Sequence, residues 1–165
     1  MRRQMNRLHI AAIAALTAST ASAQSNVNLY GLIDVSVNSV RFAPAGTAPA
    51  LTYTTLSSDA SRLGFRGTED LGSGRRAYFK LEIGYQLDTG AQTNAAQLWN
   101  REAFVGLGDQ ALGSIQLGSQ FSPEVYSTGK VDPFGRFGLG SITTLFQGGS
   151  RGWSVTSNNA IQYIT

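Results

Sequence analysis

Arg75-Arg76-Ala77-Tyr78-Phe79-Lys80-Leu81-Glu82-Ile83-Gly84-Tyr85-Gln86-Leu87 carries two interleaved rows. Ala77, Phe79, Leu81, Ile83, Tyr85 and Leu87 make an unbroken apolar row; Arg76, Tyr78, Lys80, Glu82, Gly84 and Gln86 make a mostly polar one. Successive side chains of a strand point to opposite faces, so the pattern predicts a β-strand with one greasy face and one wet one. The greasy face needs a partner. In water that partner is a second sheet, and in a membrane it is the acyl chains. Ten or more residues in one strand also suit a tilted crossing of the hydrocarbon layer.

The same alternation recurs on either side. Val27, Leu29, Gly31, Ile33, Val35 and Val37 alternate with Asn28, Tyr30, Leu32, Asp34, Ser36 and Asn38, which predicts one long strand from Val27 to about Val40. Residues 41–60, rich in Ala, Pro, Thr and Ser, read as a long loop. A second strand from Ser61 to Thr68 sets Leu63 and Phe65 opposite Arg62 and Arg66, and Glu69 to Gly74 is a tight turn. After the strand of the opening stretch comes a medium loop, Asp88–Gln97. A fourth strand then runs from Leu98 to Leu107, where Phe104 and Val105 compete for the apolar face. Gly108–Gly113 is a short turn and Ser114–Gln120 a fifth strand; 121–152 is long and irregular, and a sixth strand opens near Trp153. Long and short connections therefore alternate, as in outer-membrane barrels with short periplasmic turns and long outer loops. A soluble secreted β-sandwich shows the same two-faced strands, and charged pairs such as Lys80 and Glu82 fit both.

At the other end of the chain, Arg2, Arg3 and Arg7 precede an apolar run from Ile10 to Ala18, and Ala21-Ser22-Ala23 stands before Gln24. A basic start, a short apolar run and a small-residue exit predict a secretory signal peptide over 1–23, cut between Ala23 and Gln24. The whole chain has 13 Lys and Arg against 10 Asp and Glu. Three of those bases and none of the acids lie in the leader, so the mature part is neutral and lacks the basic surplus of a nucleic-acid binder. The sole histidine, His9, leaves with the leader, and there is no cysteine. Mature Ser-His-Asp or Cys-His catalysis and His or Cys metal sites are thereby excluded. No enzyme, cofactor or metal is expected.

Six strings, taken together, resemble the general diffusion porins of Gram-negative outer membranes, nearest to the trimeric porins of β-proteobacteria. They are Leu29-Tyr30-Gly31-Leu32-Ile33-Asp34, Ser61 through Gly72, Asn100-Arg101-Glu102-Ala103-Phe104-Val105-Gly106-Leu107, Leu117-Gly118-Ser119-Gln120, Asp132-Pro133-Phe134-Gly135 and Asn158 through Tyr163. They stand in family order across nearly all of 24–165. The resemblance implies an all-β transmembrane antiparallel barrel of about sixteen strands, assembled as a homotrimer in the outer membrane. Its partners would be outer-membrane lipids, lipopolysaccharide, the outer-membrane assembly machinery, and small hydrophilic solutes and ions that diffuse passively through a wet lumen. It implies that the third loop, about 121–152, folds inward and narrows the pore.

On that pattern Arg62 and Arg101 match wall arginines of the constriction, with Arg66 a lumen neighbour on Arg62's face. Asp132 matches an acid of the loop, and Glu124 is a second candidate. Arg101 is expected inward and Phe104 outward. The sequence departs from the pattern at Ser119 and Thr156, where wall arginines are common, and at Pro133, where some relatives have a further acid. Tyr30, Tyr85, Trp99 and Trp153 are candidates for interfacial girdles. Six strands fall short of the eight of the smallest membrane barrels, and Thr165 is not the terminal aromatic of a porin. The chain is therefore expected to be the N-terminal portion of a longer protein. A soluble β-sandwich binding module and a non-conducting outer-membrane anchor barrel are the alternatives.

Overall fold

The computed structural model describes residues 26–44, 46, 47, 49–137, 140–143 and 155–165. The expected leader, its cleavage site at Ala23 and Gln24, and Trp153 lie outside them. Among the described residues, eight strands and one short helix follow in the order β1 (Asn26–Leu32), β2 (Val35–Phe42), β3 (Leu51–Ser58), β4 (Arg62–Gly72), β5 (Arg75–Gly84), β6 (Glu102–Asp109), β7 (Gly113–Phe121), α1 (Pro123–Thr128) and β8 (Thr156–Ile164). All pairings are antiparallel. β1-β4-β5-β6-β7-β8 form one six-stranded sheet, and β2 and β3 form a separate hairpin. Among the described residues β1 and β8 are the sheet's edges. No helix among them is long and apolar enough to cross a membrane.

The register carries the two-faced pattern across strands. Val27 stands opposite Gly67, Gly67 opposite Phe79, Phe79 opposite Val105, Val105 opposite Leu117 and Leu117 opposite Ile161, one continuous outward row. Val27, Leu29, Val105, Leu107 and Ile161 are each more than half exposed. Among the described residues the buried hydrophobic ones are only Ala60 and Phe104, whereas Glu82, Glu102, Gln116, Gln120 and Asp132 are buried polar or charged groups. Apolar outside and polar inside inverts a water-soluble domain, and a broad exposed apolar face calls for a non-aqueous neighbour. That is the wall of a transmembrane barrel.

Four expectations are corrected. The long first strand is interrupted at Ile33 and Asp34. There the Ser61 hydroxyl accepts the Asp34 N–H at 3.0 Å and donates to the Asp34 carbonyl at 3.0 Å, so a side chain replaces the ladder. The supposed loop 41–60 contains β3, whose Thr, Tyr and Leu residues favour extended pairing and meet β2 from Val35–Ser58 to Phe42–Leu51. Phe104 points inward rather than outward, because it stands opposite Lys80 on the polar face while Val105 takes the outer one. The irregular stretch after β7 also contains α1, a single helical turn opened by Pro123.

Candidate functional site

The polar face of β1, β4, β5 and β6 and the segment that follows β7 enclose a cleft of about 1010 Å³. One register row sets Tyr30, Gly64, Glu82 and Glu102 side by side. Gly64 leaves the space in which Tyr30 lies flat, since a Cβ there would come within 2.6 Å of the Tyr30 ring. The Tyr30 hydroxyl thereby crosses β4 and donates to Glu82 Oε2 at 2.7 Å.

Glu82 accepts Arg101 Nε on its other oxygen at 2.6 Å and lies 3.3 Å from Lys80 Nζ. Lys80 also pairs with Glu102, whose Oε1 accepts the Tyr126 hydroxyl at 2.7 Å. Arg101, Glu82, Lys80 and Glu102 thus alternate in sign, with a tyrosine on each carboxylate. Both carboxylates are almost inaccessible, at 2 % exposure, as buried charges must be if they are to be paired and hydrogen-bonded.

Arg101 reaches this network because the ladder ends at Glu102. The Asn100 side chain takes the next pairing place, accepting the Gly84 N–H at 2.7 Å and donating to the Gly84 carbonyl at 3.1 Å. The chain bends there, and the Arg101 stem lies where a Cβ on residue 84 would meet it at 3.1 Å. Its guanidinium also stacks 5.1 Å over the Phe121 ring.

Arg62 and Arg66 are held differently. Arg62 Nη1 donates to the Ala60 carbonyl at 3.1 Å, and the Arg66 guanidinium sits 5.1 Å over Tyr30. Among the described residues neither has a carboxylate within salt-bridge distance.

Across the cleft, the segment from Ser122 to Thr143 presents Tyr126, Lys130 and Arg136. Burial first, then the Glu102 hydrogen bond and charge, push the Tyr126 phenol above its ordinary pKa of 10.0, so it remains a donor. Arg136 pairs with Glu124, and Thr128 Oγ1 lies between them. Asp132 Oδ1 accepts the N–H of Phe134 at 2.9 Å, and Oδ2 accepts those of Arg136 at 3.0 Å and Ile142 at 2.9 Å. Desolvation pushes the Asp132 carboxyl up, but these three donors outweigh it and hold the group below its ordinary 3.8.

Arg62, Arg66 and Arg101 are therefore brought together on the cleft, with Arg101 neutralised by Glu82. Asp132 and Glu124 belong to the segment opposite, but their carboxylates turn into that segment's own fold and do not line the cleft. Sequence reasoning missed Glu82, Glu102, Tyr126 and Arg136 as site residues. The signal for the two glutamates is their even spacing on polar rows; that they stand opposite each other depends on a register visible only in the sheet. The lining carries six cationic side chains (Arg62, Arg66, Lys80, Arg101, Lys130 and Arg136) against two carboxylates.

A wall that is apolar outside and charged inside, with a segment seated on its charged face, is the wall of a membrane barrel. The chain belongs to the Gram-negative porin family, whose sequence model matches residues 10–165. It is 32% identical over 166 residues to an outer membrane porin protein of Bordetella pertussis, covering 93% of this chain and 41% of that one. It is 34% identical over 165 residues to outer membrane porin protein 32 of Delftia acidovorans, covering 93% and 44% respectively. The solved structure of an anion-selective porin from Comamonas acidovorans superposes with a TM-score of 0.68 at 30% identity, covering 85% of this chain and 42% of that one. The chain spans about two-fifths of the length of the curated relatives it matches. The family places it in the outer membrane as part of an antiparallel β-barrel; porins are channels rather than an enzyme class.

Proposed function

We propose that residues 1–23 are an export leader and that residues 24–165 supply the N-terminal wall and inward third loop of a porin that passes small hydrophilic solutes by passive diffusion, with preference for anions. The complete protein is a homotrimer in contact with outer-membrane lipids and lipopolysaccharide, delivered by the outer-membrane assembly machinery. The observation that carries the preference is the cleft's excess of cations, above all Arg62 and Arg66, which no described carboxylate neutralises. Low-dielectric walls focus such a field and enrich counter-ions along the path. The superposed Comamonas porin is named as anion-selective, which accords with this reading. No bond is made or broken in transit.

The test is the full-length protein in a planar bilayer under a salt gradient. Arg62→Glu with Arg66→Glu should lower the anion-to-cation permeability ratio about tenfold, the lower end of focusing effects. The shift should grow at low salt, where screening is weaker. An unchanged reversal potential in assembled double-mutant trimers removes these arginines from selectivity. Absence of any channel in the wild type would favour an anchoring barrel instead.

A further inference from the structure

We propose that Asp132 is a positioning residue: it fixes the fold of the third loop, and with it the bore of the constriction, while Tyr126 seats that fold on the wall. This rests on the reading of Ser122–Thr143 as the loop that narrows a pore. Its basis is where the Asp132 carboxylate goes. Both oxygens are occupied by backbone donors of the loop, those of Phe134, Arg136 and Ile142, the last ten residues further along the chain. The Asp132 backbone is engaged too: its N–H donates to the Thr128 carbonyl at 2.9 Å, and its carbonyl accepts the Gly135 N–H at 3.0 Å. One residue therefore ties the end of α1 to the turn and to the return of the loop.

The turn needs such a tie. Gly135 and Arg136 have φ of 57° and 72°, and a non-glycine residue in the left-handed region persists only where its surroundings hold it. Arg136 is held by its N–H on Asp132 and by its guanidinium on Glu124 and Thr128 Oγ1, and its carbonyl accepts the Thr143 hydroxyl. The knot is then moored to the wall by the Tyr126 hydroxyl on Glu102. Hydrogen bonds to a charged group are the stronger kind. With its oxygens spent on the loop, Asp132 acts on the pore through shape rather than through its field.

Two readouts test this on the full-length protein. In planar bilayers Asp132→Ala should alter single-channel conductance and broaden its distribution while leaving the reversal potential at the wild-type value. Tyr126→Phe, which keeps the ring and loses the mooring, should broaden it less. In folded detergent-solubilised protein, trypsin should cut after Arg136 about tenfold faster in Asp132→Ala, because cleavage follows the open population of the loop. Asp132→Asn keeps one acceptor oxygen and should fall between Ala and wild type in both assays; it also serves if the Ala variant does not assemble. A reversal-potential shift with unchanged conductance spread and unchanged cleavage would make Asp132 a field residue and overturn the proposal. Should the wild type not conduct, the pore reading fails, and the cleavage rate alone still decides whether Asp132 holds the loop.

Discussion

In the wall from β4 to β7, backbone pairs with backbone, residue against residue, and side chains are left to face lipid or the cleft. Between Ser122 and Thr143 side chains take over part of that role: the Asp132 carboxylate accepts backbone N–H groups, Thr128 Oγ1 donates to the Glu124 carbonyl at 2.7 Å, and Glu124 grips Arg136. Charges in the wall are consequently free to define a field, as at Arg62 and Arg66, or are cancelled in place, as at Glu82 and Arg101. Charges in the loop are largely consumed by folding it. An acid in a strand and an acid in a loop therefore carry different meanings: Glu82 and Glu102 line the cleft, whereas Asp132 and Glu124 are turned into the loop.

The sharpest way to break this contrast is to attack the wall's geometry. Gly64→Val should abolish assembly, because its Cβ would fall 2.6 Å from the Tyr30 ring and 2.9 Å from the Leu81 carbonyl oxygen, which is backbone and cannot step aside. Loss of the heat-modifiable folded band on cold gel electrophoresis would record it; a normal band would mean that β1 and β4 can separate at little cost. Next in size is Glu82→Ala, which leaves Arg101 and one end of Lys80 unpaired. Removing one member of a fully buried pair costs roughly 3–5 kcal/mol. Here the cations keep 20 % and 28 % side-chain exposure, so about 2 kcal/mol is expected, read as a lowered unfolding midpoint in detergent. A midpoint equal to wild type would show that the network sets charge without contributing stability.

The smallest effect is confined to the loop and to acid. The Asp132 carboxyl is held below 3.8, so its stabilising contribution is full above that value and is lost as pH falls through the lowered one. Lowering the pH below about 3.8 should therefore speed loop opening in the wild type. The comparison is with Asp132→Asn, which lacks the titrating carboxyl. Tryptic accessibility is not measurable at that pH; pepsin cleavage or hydrogen exchange of 132–143 is. An equal acid response in wild type and Asp132→Asn would show that the Asp132 carboxyl is not the group responsible.

Much of the wall was legible in the chain. Alternation over Arg75–Leu87 predicts the outward row and the polar row that β5 displays, and the same holds for Leu63 and Phe65 against Arg62 and Arg66. The failures have local physical causes. At Asp34 a serine hydroxyl from a distant turn replaces the ladder, which no periodicity of residues 27–40 reveals. At Arg101 an asparagine side chain replaces backbone pairing, so Arg101 and Phe104 both face inward despite their odd and even positions.

By itself the sequence determined the apolar face wherever the alternation is unbroken, as over Ala77–Leu87 and at Leu63 and Phe65, because a period of two is a property of the extended backbone and needs no partner. It also determined that Arg62 and Arg66 stand on the polar row opposite Leu63 and Phe65. The tertiary structure alone decided which of those charges remain available. Glu82, Lys80, Glu102 and Tyr126 become neighbours through strand register and a loop folded back from β7, and Asp132 turns away from the wall because the loop's own N–H groups lie nearer. Charge position is written in alternation, but charge compensation depends on contacts between residues far apart in the chain.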